Sequence, residues 1–180
     1  MQSQWDFARG SVLFRPYTAE DFAALYAIEE LCFQPPMRFG RGQMRRLVER
    51  RNAATWIAEQ GGQLRGFAIV EWGRERSGVP SDGSSSMGCT GEVVAYIQTI
   101  EVAPDQRGQG AGGELLHRVE ASARAAGAQL IRLHVDAENT AALRLYEAHG
   151  YRIEGRQEKY YPHGRAALIC LKALKAGPSN

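Results

Sequence analysis

Four glycines, Gly108, Gly110, Gly112 and Gly113, stand beside Arg107 in one short stretch, between a β-branched run and an apolar helical face. Residues without a Cβ let a ligand approach the backbone closely. The first N–H groups of the helix that follows have no partner inside it and sit at the positive end of its macrodipole. An anion, and a phosphate in particular, is the natural guest of such a turn. The same glycines read equally as a tight strand-to-helix connection when taken alone. The stretch lacks the Lys-Ser/Thr pair of a nucleotide-binding P-loop, and no dinucleotide-type glycine pattern with a later ribose-binding acid accompanies it.

The elements that must hold this turn are legible on both sides. Tyr96, Ile97, Thr99, Ile100 and Val102 form a β-branched and aromatic run that Pro104 stops, which predicts a strand over 96–102. Leu115, Leu116, Val119, Ala123 and Ala126 then recur at helical spacing up to a closing Gly127.

Upstream, residues 12–17 read as a strand. Thr18 caps a helix carrying Phe22, Leu25, Ile28 and Leu31, and a second helix presents Met44, Leu47 and Val48. Between those helices, residues 33–42 hold Phe33, Pro35, Pro36 and Met37, an apolar composition that suits either ligand contact or packing over the core. Residues 55–59 and 64–72 predict a hairpin. The serine- and glycine-rich segment 73–91 reads as a flexible loop, either a tolerated surface insertion or a substrate lid.

Downstream, Ile131, Leu133 and Val135 alternate with Arg132, His134 and Asp136 along a strand. A short helix over 139–150 follows. Strands over 151–161 and 166–171 then flank a turn at 162–165. The order β-α-α-β-β-β-α-β-α-β-β predicts an α/β (α+β) architecture, with helices around a mixed sheet.

Composition narrows the function further. With 44% hydrophobic residues the 180-residue chain can bury one real core, expected over 11–174 with tails at 1–10 and 175–180. A net charge of +2 gives no case for nucleic acid, and the local group Arg38, Arg41, Arg45, Arg46, Arg50 and Arg51 reads as a solvated helix face. Cys32, Cys89 and Cys170 show no metal-ligand spacing and suit a reducing compartment as structural or incidental residues. No apolar run approaches a membrane span and the start lacks a signal-peptide pattern, so a soluble cytoplasmic protein with no metal and no membrane partner is expected.

Arg107-Gly-Gln-Gly110-Ala-Gly112, preceded by Ile100-Glu-Val-Ala-Pro104, resembles the R-x-x-G-x-G signature of the GCN5-related N-acetyltransferase (GNAT) family. Asn139 with Leu145-Tyr146 and Gly150-Tyr151 resembles the family's N-x-x-A-x-x-L-Y-x-x-x-G-F segment, with Tyr151 departing from the commoner phenylalanine. The resemblance spans residues 11–174. It implies a mixed sheet of about seven strands with about four helices, and acetyl-CoA as co-substrate. Ile100, Val102, Arg107, Gly108, Gln109, Gly110, Ala111, Gly112, Asn139 and Tyr146 are then the expected coenzyme contacts.

Direct transfer to an amine needs a neutral nucleophile, a stabilised oxyanion and a proton for the leaving thiolate. By resemblance Tyr146 is the acid, although an aromatic on a helix is also an ordinary core residue. The bacterial ribosomal-protein enzymes carry a glutamate where this chain has His134, so their base does not transfer. Tyr96 with Leu133-His134-Val135 instead resembles certain eukaryotic N-terminal acetyltransferases, which implies His134 as base with Tyr96 through ordered water. A structural histidine remains the plain alternative. Glu101 is the second candidate for the base.

Phe33, Pro35 and Met37 fall where the family's first helix-to-helix loop meets the first substrate residue, and Lys159-Tyr160-Tyr161 resembles its N-Y-Y segment. An α-amine with pKa about 8 is neutral about one time in ten at pH 7, whereas a lysine near 10.4 almost never is, so a weak relay suits a protein N-terminus. A small amine such as a polyamine, aminoglycoside or amino acid is the alternative acceptor, and a non-catalytic acyl-CoA-binding module the alternative class. Monomer and homodimer are both compatible with the sequence.

Overall fold

The computed structural model describes residues 11–74 and 91–174. Seven strands form one sheet in the order β1 (Leu13–Pro16), β2 (Ala53–Gln60), β3 (Gln63–Arg74), β4 (Val93–Val102), β5 (Leu130–Asp136), β7 (Ala167–Ala173), β6 (Arg152–Gln157). Every pairing is antiparallel except β4 with β5. That one parallel step is the one that needs a crossover, and α3 (Ala111–Ala125) supplies it. The other helices are α1 (Phe22–Cys32), α2 (Arg41–Val48) and α4 (Thr140–Ala148). Element order and sheet type agree with the expectation from the alternating pattern. Most of the segment 73–91 lies outside the described residues, as does Cys89.

Each face of the sheet carries its own core. Leu115, Leu116, Val119 and Ala123 of α3 pack with Ala95, Ile97, Ile131 and Leu133 on one side. Phe22, Leu25, Met44 and Leu47 pack with Ile57, Phe67 and Ile69 on the other. Each fully buried leucine or phenylalanine contributes about 1.5–3 kcal/mol relative to exposure.

Two departures from regular pairing build the cleft. Thr99 lies opposite Ile69 but Ile97 lies opposite Val70, so Gln98 is one extra residue on β4. This bulge changes which alternate side chains face each core. Ala95 and Ile97 face α3 before it, Ile100 and Val102 after it, and Glu101 turns to the side of α1. Secondly, β4 pairs with β5 only from Val94 to Tyr96. Past Tyr96 the strands have no common ladder, which leaves backbone polar groups of β4 facing the gap.

The sequence placed some boundaries elsewhere. The central strand begins at Val93 rather than at 96. The strand expected over 151–161 ends at Gln157, because Lys159 takes φ 56° and a turn follows. A left-handed lysine cannot continue a ladder. The basic group is more than a solvated face: Arg41 and Arg45 lie over the Phe22 ring and Arg50 pairs with Glu71. Among the described residues no helix is long and apolar enough to cross a membrane.

Candidate active site

Two cavities meet in the gap between β4 and β5, sharing Phe33, Ile100, Asn139 and Ala142 in their walls. The larger, about 610 Å³, is floored by the glycine turn. Gly108 and Gly110 take φ 75° and 88°, values that favour glycine, and Gly110 directly precedes α3. The Glu114 N–H closes on the Gly110 carbonyl at 3.1 Å, so the amides ahead of it carry the unpartnered N–H groups of the helix start.

Arg107 donates from Nε to the Val102 carbonyl at 3.0 Å and holds the turn against the end of β4. Ile100, Val102, Arg107, Gly108, Gly110, Ala111, Gly112 and Asn139 all line this cavity. Gln109 does not, and donates to the Asp105 carbonyl at 3.4 Å. Asn139 is also the cap of α4, its Oδ1 accepting from the Ala142 N–H at 3.1 Å. Cys32, read from sequence as incidental, lies in the wall beside Arg107, 3.6 Å from its Nη2.

The second cavity, about 460 Å³, is built from side chains. Phe33, Met37 and Phe39 give it an apolar wall, whereas Asp136, Glu138 and Arg165 line it as charged groups. Arg165 is paired with Asp136. His134, Tyr146 and Tyr161 complete the sequence-predicted set in this wall; Pro35 is not part of it.

His134 is held on three sides. Its Nδ1 lies 2.7 Å from the Tyr96 hydroxyl, and its ring stacks on Tyr160 with centroids 4.6 Å apart and planes 7° off parallel. Tyr96 reaches it because β4 and β5 still pair at Tyr96 and Arg132, two residues before His134 on the same face. Tyr160 reaches it because the chain turns at Lys159. Burial lowers the His134 pKa, opposed by a hydrogen bond to Gln157, so the imidazole stays neutral in neutral solution. Burial also holds the Tyr96 phenol far above its ordinary value, with the Tyr160 and Tyr161 hydroxyls adding to it.

Tyr146 is nearly enclosed, its ring edge-on to Tyr151 at 5.5 Å, and burial raises its pKa strongly. Tyr161 is pushed up to about 12 by burial. Glu101 lies elsewhere. It faces α1, is 3% exposed, accepts from the Thr99 hydroxyl at 2.8 Å and borders the glycine-turn cavity rather than the one holding His134. Burial and the Glu29 carboxyl beside it raise its pKa.

Sequence reasoning missed Phe39, Thr99, Asp136, Glu138, Gln157 and Arg165. The alternation in β5 put Asp136 on the face of His134, a signal that was available. Gln157 and Arg165 come from the far edge of the sheet, and no local pattern marks them. Among the described residues no group of three or more His, Cys, Asp or Glu could hold a metal ion.

A family model described as the acetyltransferase (GNAT) family matches residues 22–151. Mycothiol acetyltransferase of Thermobispora bispora is 36% identical over 99 residues, which are 55% of this chain but 30% of that protein, so the match spans under a third of the relative's length. Among solved structures, the ribosomal-protein-S18-alanine N-acetyltransferase of Escherichia coli superposes with a TM-score of 0.73 at 22% identity, covering 94% of this chain and 98% of the other. Arabidopsis thaliana NAA60, in complex with a bisubstrate analogue, does so with 0.76 at 21%, covering 93% and 100%. At such identity these structures speak for the fold. The family model covers well over half of the chain and includes both the glycine turn and the strand pair that opens beside it. This chain therefore belongs to the GNAT family of N-acetyltransferases, which pass an acetyl group from acetyl-CoA to an amine.

Proposed function

We propose that the acceptor is the α-amine of a protein or peptide N-terminus, with His134 as base, Tyr96 as its partner and Tyr146 as acid. The observation that carries this reading is the clamped His134, neutral and exposed to a cavity with an apolar wall and two carboxylates. Asp136 and Glu138 outweigh Arg165 in charge and attract an ammonium, while Phe33, Met37 and Phe39 suit an uncharged first side chain.

The steps balance as follows. With Nδ1–H donating to the Tyr96 oxygen, Nε2 of His134 accepts the ammonium proton, directly or across one water. The freed nitrogen attacks the thioester carbonyl, forming the C–N bond and an oxyanion. Backbone N–H groups of β4 near Val102, where the strand no longer pairs with β5, stabilise that charge in this reading. Collapse breaks the C–S bond and the thiolate takes the Tyr146 proton; the amide nitrogen sheds its remaining extra proton through water to the Tyr146 oxygen, and His134 returns its own proton to solvent. Because burial raises the Tyr146 pKa, the phenol stays protonated in neutral solution and is available to donate as charge develops on the sulfur. The 11–174 segment acts as one acetyltransferase domain in this reading, with Gly108, Gly110 and the start of α3 gripping the coenzyme phosphates.

A small-amine acceptor is the second reading. Asp136 and Glu138 favour it, since a carboxylate-lined wall is what a small cation needs, and the similarity to a mycothiol acetyltransferase points the same way. Thiol release from acetyl-CoA, measured with free-N-terminus peptides, N-blocked lysine peptides and small amines, tests both. Turnover confined to free N-termini is expected. Turnover with small amines alone overturns the peptide reading.

A further inference from the structure

Two carboxyl groups that the transfer steps do not use lie beneath the cleft. Glu29, near the end of α1, is fully buried, and Glu101 on β4 nearly so. One oxygen of each is satisfied. Glu29 Oε1 accepts from the Phe39 N–H at 2.6 Å, and Glu101 Oε1 accepts from the Thr99 hydroxyl at 2.8 Å. The other two, Glu29 Oε2 and Glu101 Oε2, are buried with no hydrogen-bond partner among protein atoms.

The two groups sit where α1 packs on β4, with Cys32 Sγ at the end of α1 lying 3.6 Å from the Val102 carbonyl, and the Glu29 carboxyl beside Glu101 raises the Glu101 pKa. Two ionised groups cannot be stable there, because burial and mutual repulsion both oppose the second charge. One proton between the pair resolves both orphans at once, with one carboxyl donating and the other accepting. Cys32 and Thr99 are the other groups that bear on Glu101, with the Arg107 guanidinium just beyond Cys32.

The place of this pair matters because of what each partner holds. Phe39 belongs to the segment between α1 and α2 that supplies the apolar wall of the acceptor cavity, and Thr99 lines the opposite side. We propose that Glu29 is a positioning residue for the acceptor: through the Phe39 amide and a proton shared with Glu101, it fixes the segment between α1 and α2 against the central strand. The acceptor cavity then has a set width rather than a wall free to drift. This rests on the reading of that cavity as the acceptor site.

Amide chemistry makes the inference testable. In Glu29→Gln the amide oxygen still accepts from Phe39 and the amide N–H replaces the shared proton toward Glu101; Glu29→Ala loses both bonds. The experiment compares KM and kcat for a peptide with a free N-terminal methionine, KM for acetyl-CoA, and hydrogen exchange over residues 33–39, in the full chain.

Glu29→Ala is expected to raise the peptide KM about tenfold or more, to leave the acetyl-CoA KM within about threefold, and to speed exchange over 33–39. Glu29→Gln restores all three to within about threefold of wild type. Should Glu29→Ala fail to fold, Glu29→Asp, whose carboxyl is drawn back by one carbon, gives the same direction with a smaller amplitude. A Glu29→Gln as impaired as the alanine variant overturns the shared proton. A lower melting temperature with peptide KM and exchange unchanged overturns the positioning role. If wild type acetylates small amines but no peptide, the acceptor reading fails by itself, and the exchange comparison still decides whether Glu29 holds the segment.

Discussion

The two cavities that meet at Ile100 are built on different plans. The glycine-turn cavity, proposed for the coenzyme, offers backbone N–H groups from one contiguous turn, where Gly108 and Gly110 need only the right φ. The cavity beside His134, proposed for the acceptor, takes side chains from the segment after α1, from β4 and β5, from α4 and from the turn before β7. A backbone site tolerates changes that leave the chain path alone. A site made of converging side chains depends on every element that aims them, so the acceptor side is where members of such a fold can diverge without losing the coenzyme.

That contrast predicts separable losses. The largest is expected in His134→Ala, where loss of the base lowers kcat by about 10²–10⁴ while acetyl-CoA binding by calorimetry stays unchanged. A variant with near-normal kcat would remove His134 from the mechanism. Gly110→Glu should do the reverse. A side chain forced into φ 88° and a carboxylate set at the helix start together raise the acetyl-CoA Kd about 100-fold, and intact affinity would break the assignment of the turn.

Tyr96→Phe removes the partner of His134 Nδ1 and is expected to lower kcat about tenfold with both KM values held. The pH profile sharpens the same point. Because burial lowers the His134 pKa, the base form persists below pH about 6.5, so kcat/KM rises with pH through a midpoint under that value. An acid limb centred above it would show that another group titrates.

The smallest effect is on stability. The Glu29–Glu101 pair keeps a proton that the unfolded chain has already released, so the pair's contribution falls as pH rises above the ordinary carboxylate range of about 4.3. Glu101→Gln lacks that loss, and its melting temperature should gain on wild type between pH 5 and pH 9. A constant difference would mean that no proton is shared.

Legibility followed the same division. The strand and helix around Gly108 to Gly113 were readable because periodicity and glycine chemistry act within a few residues. Tyr96 and His134 entered as a pair only through a resemblance, linked by ordered water rather than the direct 2.7 Å contact the structure has, and Tyr160 entered as a separate motif; nothing in their spacing states that a phenol, an imidazole and a second ring touch. The strand end at Gln157 was misjudged because Tyr160 and Tyr161 are good strand formers, and only the turn at Lys159 shows that Tyr160 leaves the ladder to stack on His134. Glu101 illustrates what a linear strand cannot show: it reads there as the second candidate base, and only the bulge at Gln98 reveals that it faces α1 and Glu29.

The sequence by itself determined the order of elements, the family and the phosphate-suited turn, because each depends on local periodicity or on contiguous residues. The tertiary structure decided which face each residue of β4 presents, where β4 and β5 part, and which distant side chains close around His134. Those follow from one extra residue in a ladder and from pairing across the sheet, and neither leaves a mark in the sequence of any single segment.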